Sequence, residues 1–286
     1  MYLKTRFLQR ITTGGLLRYA KWPPVYIWIP TLILAGIILL SPTYLLLRSF
    51  GTELSTWELL LRSRILMVLL RTLFLVVTVT LVSCLIAIPI AWLQVRTDLR
   101  FRKFWSVITL LPLVIPSYVG GFIFIVALGP KGMLQTFLNA LWGFERIPDI
   151  SGYIGSLIIL SLLSFPYVLL TVKAGLRQMD SNLEESARVL GNGHWRTFLS
   201  ISVPLLRPSI TAGALLVALY TLSDFGAVSI LRYETFTWAI FNQYEGSLNR
   251  NFGALLSVIL IAVSYTQLRA HETIRYLVCR HLLEKK

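Results

Sequence analysis

Residues 185–204 combine residue types at a spacing suited to specific work: Glu185-Ser186-Ala187, three residues to Gly191, then nine more to Ile201-Ser202-Val203-Pro204. A carboxylate, small residues, a glycine and a proline in that pattern make neither an activated nucleophile nor a metal-ligand set. They suit recognition, with a charge presented on a short helix, a glycine that turns the chain and a proline that redirects it. The chain carries no G-x-x-x-x-G-K-[ST] loop, no G-x-S-x-G elbow, no H-E-x-x-H helix and no cysteine cluster. Phosphate binding by such a loop and hydrolysis by such constellations are therefore not expected, nor is a cofactor or metal site, and the chain does not read as an enzyme.

Local signals place these residues on a helix, a turn and a second helix. Ser181-Asn182-Leu183-Glu184 has the form of a capping box, with Asp180 as an alternative cap, and Gly191 can take the left-handed conformation that closes a helix. Leu183, Ala187 and Leu190 fall at i, i+4 and i+7, an apolar stripe on a helix too short to be stable without a partner surface. After Gly191-Asn192-Gly193, the stretch 194–201 carries apolar residues at 195, 198, 199 and 201, and Pro204 and Pro208 bend the chain into the next apolar run.

The elements that hold this loop must cross a membrane. Of the 286 residues 56% are hydrophobic and 14% charged, and the mean hydropathy is +0.71, which excludes an ordinary soluble globular protein. Uncharged runs extend from Trp22 to Leu47, Thr72 to Val95, Phe104 to Pro130 and Ile150 to Val172, each long enough to span as a helix. A fifth, Pro208 to Leu231, is interrupted by Asp224, and a sixth covers Phe252 to Val263, too short to span unless continued. The fold expected is an all-α polytopic bundle of about six spans, the sixth incomplete. The first run exceeds the core of a secretory signal and reads as an uncleaved anchor. Arg71, beside the second run, reads as snorkelling to the interface.

Lys and Arg set the orientation. Lys4, Arg6, Arg10, Arg18, Lys21, Arg96, Arg100, Arg102, Lys103, Lys173, Arg177, Arg188, Arg196 and Arg207 fall on one side. Half as many fall on the other: Arg48, Arg62, Arg64, Lys131, Arg146, Arg232 and Arg250. The positive-inside rule makes the N-terminus and the Glu185 loop cytoplasmic. The net charge of +14 is then accounted for by orientation and attraction to anionic lipid, without nucleic acid. Trp92 and Trp105 bracket the 96–103 loop, where interfacial aromatics are expected.

The spacing from Glu185 to Pro204 resembles the cytoplasmic E-A-A-x3-G-x9-I-x-L-P loop of ABC importer permeases, with Ser186 in place of the first Ala and Val203 in place of the Leu. Further stretches are similar to the iron(III) permease branch of that family: Leu111 to Gly120, Ser164-Phe165-Pro166-Tyr167-Val168, Gly175 to Asp180, and Ser223 to Val228 leading to Tyr233-Glu234-Thr235-Phe236-Thr237. The resemblance implies a type I importer permease domain over residues 25–263, after a basic cytoplasmic segment 1–24, with a coupling loop at 177–207. It implies that a cytoplasmic ATPase dimer grips the loop, with Glu185, Ala187 and Gly191 at the contact and Ile201 and Pro204 packing the second arm. A periplasmic binding protein would deliver ferric iron, a second permease half would complete the pore, and the site would be the bacterial inner membrane. Thiamine, sulfate and polyamine permeases share much of the pattern.

Several features stay open. Pro89, Pro112, Pro116 and Pro166 lie inside the runs, where each removes a backbone hydrogen bond and either kinks a helix that lines the pathway or is simply the proline common in membrane helices. Gly120-Gly121 reads as close helix packing. Asp224 either lines the pathway or bonds to nearby hydroxyls, and with no second acid in any run it does not make an iron site. At Ser264 the composition switches to a charged segment, 264–286, which is expected to be non-native, with a second half missing. An ATP-independent transporter or channel, and a non-functional fragment, are the competing readings.

Overall fold

The computed structural model describes residues 25–51, 60, 63–129, 132–142, 150–246 and 250–284. The basic segment 1–24, with Lys4, Arg6, Arg10, Arg18 and Lys21, lies outside the described residues, as do Arg62, Lys131 and Arg146. Every regular element among the described residues is helical. They are α1 (Val25–Phe50), α2 (Ser63–Arg96), α3 (Arg102–Ile108), a 3-10 turn (Leu111–Val114), α4 (Ser117–Leu128), α5 (Met133–Trp142) and α6 (Tyr153–Gln178). Next come α7 (Ser181–Val189), α8 (His194–Leu205), α9 (Arg207–Ser223), α10 (Gly226–Ile230), α11 (Phe236–Glu245) and α12 (Arg250–Glu284). Among the described residues five stretches are long and apolar enough to cross a membrane, in α1, α2, α6, α12 and Ser117–Phe137, which takes in α4 and the start of α5, or six if the bent pair α8 and α9 forms one span.

Helices α2, α6 and α9 form the centre, with α6 the most enclosed. Leu160, Val168, Leu169, Val172 and Leu176 of α6 are buried against Leu75, Val79, Ala87 and Ala91 of α2 and Val217 of α9. In lipid, apolar side chains gain little by leaving their surroundings, so close packing of small residues must hold such a centre together. Gly213 shows the point: a Cβ there would lie 2.7 Å from Cα of Val168. Gly121 is the second case, with Cα of Ala227 3.2 Å from where its Cβ would stand, as expected of the Gly120-Gly121 pair. The Ser83 and Ser164 hydroxyls pair across α2 and α6 at 3.1 Å, satisfying polar groups that lipid cannot. By contrast α1 has no buried residue along its apolar window and, among the described residues, packs chiefly against α12.

The structure changes several boundaries. The second span begins at Ser63, not Thr72, so Arg71 lies within α2 and pairs with Glu234 at 3.8 Å as well as reaching the surface. The run 104–130 is not one helix: it breaks into α3, the 3-10 turn and α4. Pro112 opens the 3-10 turn and Pro116 precedes α4 with φ −59 and ψ 141, so both prolines start elements where a missing N–H costs nothing. Pro89 and Pro166 do lie inside helices. Helix α6 continues to Gln178, which places Lys173 and Arg177 in a span's helix and not in the loop, and Lys173 is buried. Helix α12 runs past Val263 without a break, and Arg250–Arg269 is long and apolar enough to span.

Candidate coupling site

Helix α7 starts at Asp180, whose side chain accepts the Asn182 N–H at 3.0 Å, so the alternative cap is the one used. It closes at Gly191, which has φ +86. There the Gly191 N–H donates to the Arg188 carbonyl at 2.9 Å and the Asn192 N–H to the Ala187 carbonyl at 3.1 Å. A residue with a Cβ is disfavoured at that φ. Helix α8 follows, with a π-helical stretch at Phe198–Ser202. The widened register falls just before Pro204, which has no N–H to return to the Ser200 carbonyl. Helices α8 and α9 then meet at 71°.

What fixes α7 on the bundle is Glu184, the neighbour of the residue singled out in the sequence. Its side chain is buried, with Oε2 3.2 Å from Arg96 Nε at the end of α2 and Oε1 accepting the Ser202 hydroxyl at 2.7 Å. Arg96 also donates to the Met179 carbonyl at 3.1 Å, and Arg188 approaches Glu184 at 3.9 Å. One carboxylate therefore ties α7 to α2 and α8. A buried charge of this kind is tolerated only because it is paired and hydrogen-bonded. Sequence reasoning gave Glu184 only a capping role; its place three residues before inward-facing Ala187 was the available signal.

The apolar stripe divides. Ala187 turns inward and is buried, whereas Leu183 is half exposed and Leu190 is 83% exposed beside Val189 at 87%. Glu185 and Ser186 face outward, the Ser186 hydroxyl donating to the Asn182 carbonyl at 2.7 Å. Ile201 and Pro204 are half-buried in the second arm. Beneath it Phe198 is buried, with its ring 5.1 Å from Trp92 and 5.5 Å from Trp195. Trp92 thus supports the arm. The result is a short helix and turn held firmly on one side, with Glu185, Val189, Leu190 and Gly191 free on the other.

The three candidate pathway residues are not brought to this end together. Asp224 is not within a span but at the end of α9, buried, with its carboxylate accepting the Ala227 N–H of α10 at 3.0 Å. Its carbonyl accepts the Thr237 hydroxyl at 2.8 Å. It acts as a cap at a helix break. Pro116 precedes α4, whose Ser117 and Tyr118 lie against Gly226, so the two breaks adjoin. Pro166 is buried in the core of α6. Among the described residues no three His, Cys, Asp or Glu side chains converge as a metal site.

Comparison with known proteins decides what this architecture is. The model of the binding-protein-dependent transport system inner membrane component family matches residues 83–270, a stretch that contains α6 to α11 and the whole α7 site. The chain belongs to that family. It is a multi-pass membrane permease, a transport subunit. The Fe(3+)-transport system permease protein FbpB 2 of Haemophilus influenzae is 37% identical over 243 residues, covering 84% of this chain and 44% of that protein. The molybdenum transport system permease protein ModB of Escherichia coli is 30% identical over 188 residues, 64% of this chain and 81% of the relative. The permease thus spans less than half the length of the Haemophilus relative. Its fold matches a chain of a bacterial alginate ABC transporter crystallised with a pentasaccharide-bound periplasmic protein, with a TM-score of 0.69 at 15% identity, covering 89% of this permease and 94% of that chain. It also matches a chain of the MetNI methionine ABC transporter in an inward-facing form, with a TM-score of 0.57 at 14% identity, covering 76% and 99%.

Proposed function

We propose that this permease passes ferric iron, delivered by a periplasmic binding protein, through a pore completed by a second permease half. A separate ATPase dimer drives it by docking on α7 and its turn. The observation that carries the coupling reading is the two-sided character of α7: Glu184 is locked to Arg96 and Ser202 while Glu185, Val189 and Leu190 stay exposed. A helix fixed to the bundle on one face moves the bundle when its other face is moved. Iron is favoured by the relative at 37% identity over 243 residues, against 30% over 188 for the molybdenum permease.

On this reading the 177–207 segment and the N-terminus are cytoplasmic, and Asp224 and Pro116, at adjoining helix breaks, mark the hinge beside the pathway. The test is reconstitution with ATPase and binding protein, followed by uptake of radioactive ferric iron. Uptake that needs ATP supports the proposal, and equal uptake without the ATPase contradicts it. Gly191→Asp provides the site control, since Asp tolerates φ > 0 better than most residues and mainly adds a charge to the turn. Insertion should persist and ATPase association should be lost; normal co-purification with the ATPase overturns the role of the turn.

A further inference from the structure

Lys173 is a second buried charge at the α7 end of the bundle, and the coupling site does not account for it. It lies in the last two turns of α6, with 7% of its surface exposed. Its ammonium does not snorkel outward. It donates to Oε1 of Gln94 in α2 at 2.8 Å and to Oγ of Ser106 in α3 at 2.9 Å. Gln94, itself buried, passes the contact on by donating to Oγ1 of Thr109 at 3.2 Å and to the Trp105 carbonyl at 3.4 Å. No ion pair involves Lys173 among the described residues.

Neutral oxygens compensate a buried cation poorly, so an apolar side chain of similar length would suit the fold at least as well. Burial of the charge therefore has to be explained by what it holds. What it holds is α3, a short helix with no buried residue of its own, entered through Phe101 in a left-handed conformation at φ 63. Directly after α3 come the 3-10 turn and Pro116, the break that leads into α4.

We infer that Lys173 is a positioning residue that fastens α3 to the root of the α7 loop, so that the loop and the broken α3 to α4 segment move as one body. Glu184 ties α7 to the end of α2 and Lys173 ties α3 to the same end of α2 through Gln94. Displacement of α7 would thereby reach α4, whose Ser117 adjoins the Asp224 break. The consequence for transport rests on the ATPase reading of α7; the fastening itself does not.

Hydrogen exchange on the full chain in detergent micelles tests the fastening without substrate or partner. Lys173→Met should speed exchange of the 102–109 amides by about tenfold, the mark of a locally released segment. Residues 153–170 should stay protected and the melting temperature should be unchanged or higher. Ser106→Ala should release the same amides, and the double variant should exchange no faster there than Lys173→Met alone. Unchanged exchange at 102–109, or a lowered melting temperature with protection lost along 153–170, overturns the inference. If the unaltered chain binds no ATPase, the coupling reading falls while this comparison still decides the role of Lys173.

Discussion

Oε2 of Glu184 meets Nε of Arg96 at 3.2 Å, joining the short helix α7 to the far end of α2. Both side chains are largely withdrawn from solvent, at 3% and 14% exposure, so the pair is a fastening and not a surface decoration. Glu184→Ala leaves the guanidinium buried without its carboxylate and is expected to cost about 3–5 kcal/mol. Replacing both, as Glu184→Leu with Arg96→Met, should cost less than Glu184→Ala alone. Thermal melting of the detergent-solubilised chain reads this, and strictly additive losses would show that the two side chains do not act together.

The outer face of α7 should respond differently. Leu190 is 83% exposed and takes no part in the packing of the bundle, so Leu190→Lys is expected to change stability by no more than about 0.5 kcal/mol. ATPase recovered with the chain should nevertheless fall at least severalfold. An unchanged yield of ATPase would remove Leu190 from the docking surface.

Asp224 separates a cap from a pathway residue. Asp224→Ala deletes the acceptor for the Ala227 N–H and is expected to cost about 1 kcal/mol, whereas Asn retains an oxygen at that place. If capping is its whole contribution, Asp224→Asn transports like the unaltered protein. Normal stability with transport lost in Asp224→Asn would instead assign the charge to the pathway.

Orientation has a direct chemical test. Asn192→Cys in the α7 turn and Glu234→Cys beside Arg71 should label from opposite sides of the membrane, position 192 only after the inner face is exposed. Labelling of position 192 in intact cells by an impermeant maleimide would reverse the topology.

Much of this arrangement was legible because it is written locally. The apolar runs, the α7 helix and the turn at Gly191 follow from composition, caps and a glycine that now has φ +86. The breaks in the run 104–130 were not legible, since Pro112 and Pro116 look alike whether they kink a helix or begin one. Nor were Glu184 and Lys173. Their partners Arg96, Gln94 and Ser106 stand far off in the chain, and an isolated Glu or Lys in a cytoplasmic-type segment reads as solvated until packing brings its partner. The place of Asp224 at the end of α9 was hidden for a similar reason, because an apolar run lies on either side of the acid.

The claim that α7 is bound by the bundle on one face and by an ATPase on the other is tested most directly by site-specific photo-crosslinking in the assembled transporter. A benzophenone amino acid at position 190, on the exposed face, should form an adduct with the ATPase, and one at position 187, on the buried face, should form none. An adduct from 187 equal to that from 190, or no adduct from 190 in a complex that hydrolyses ATP, would contradict it.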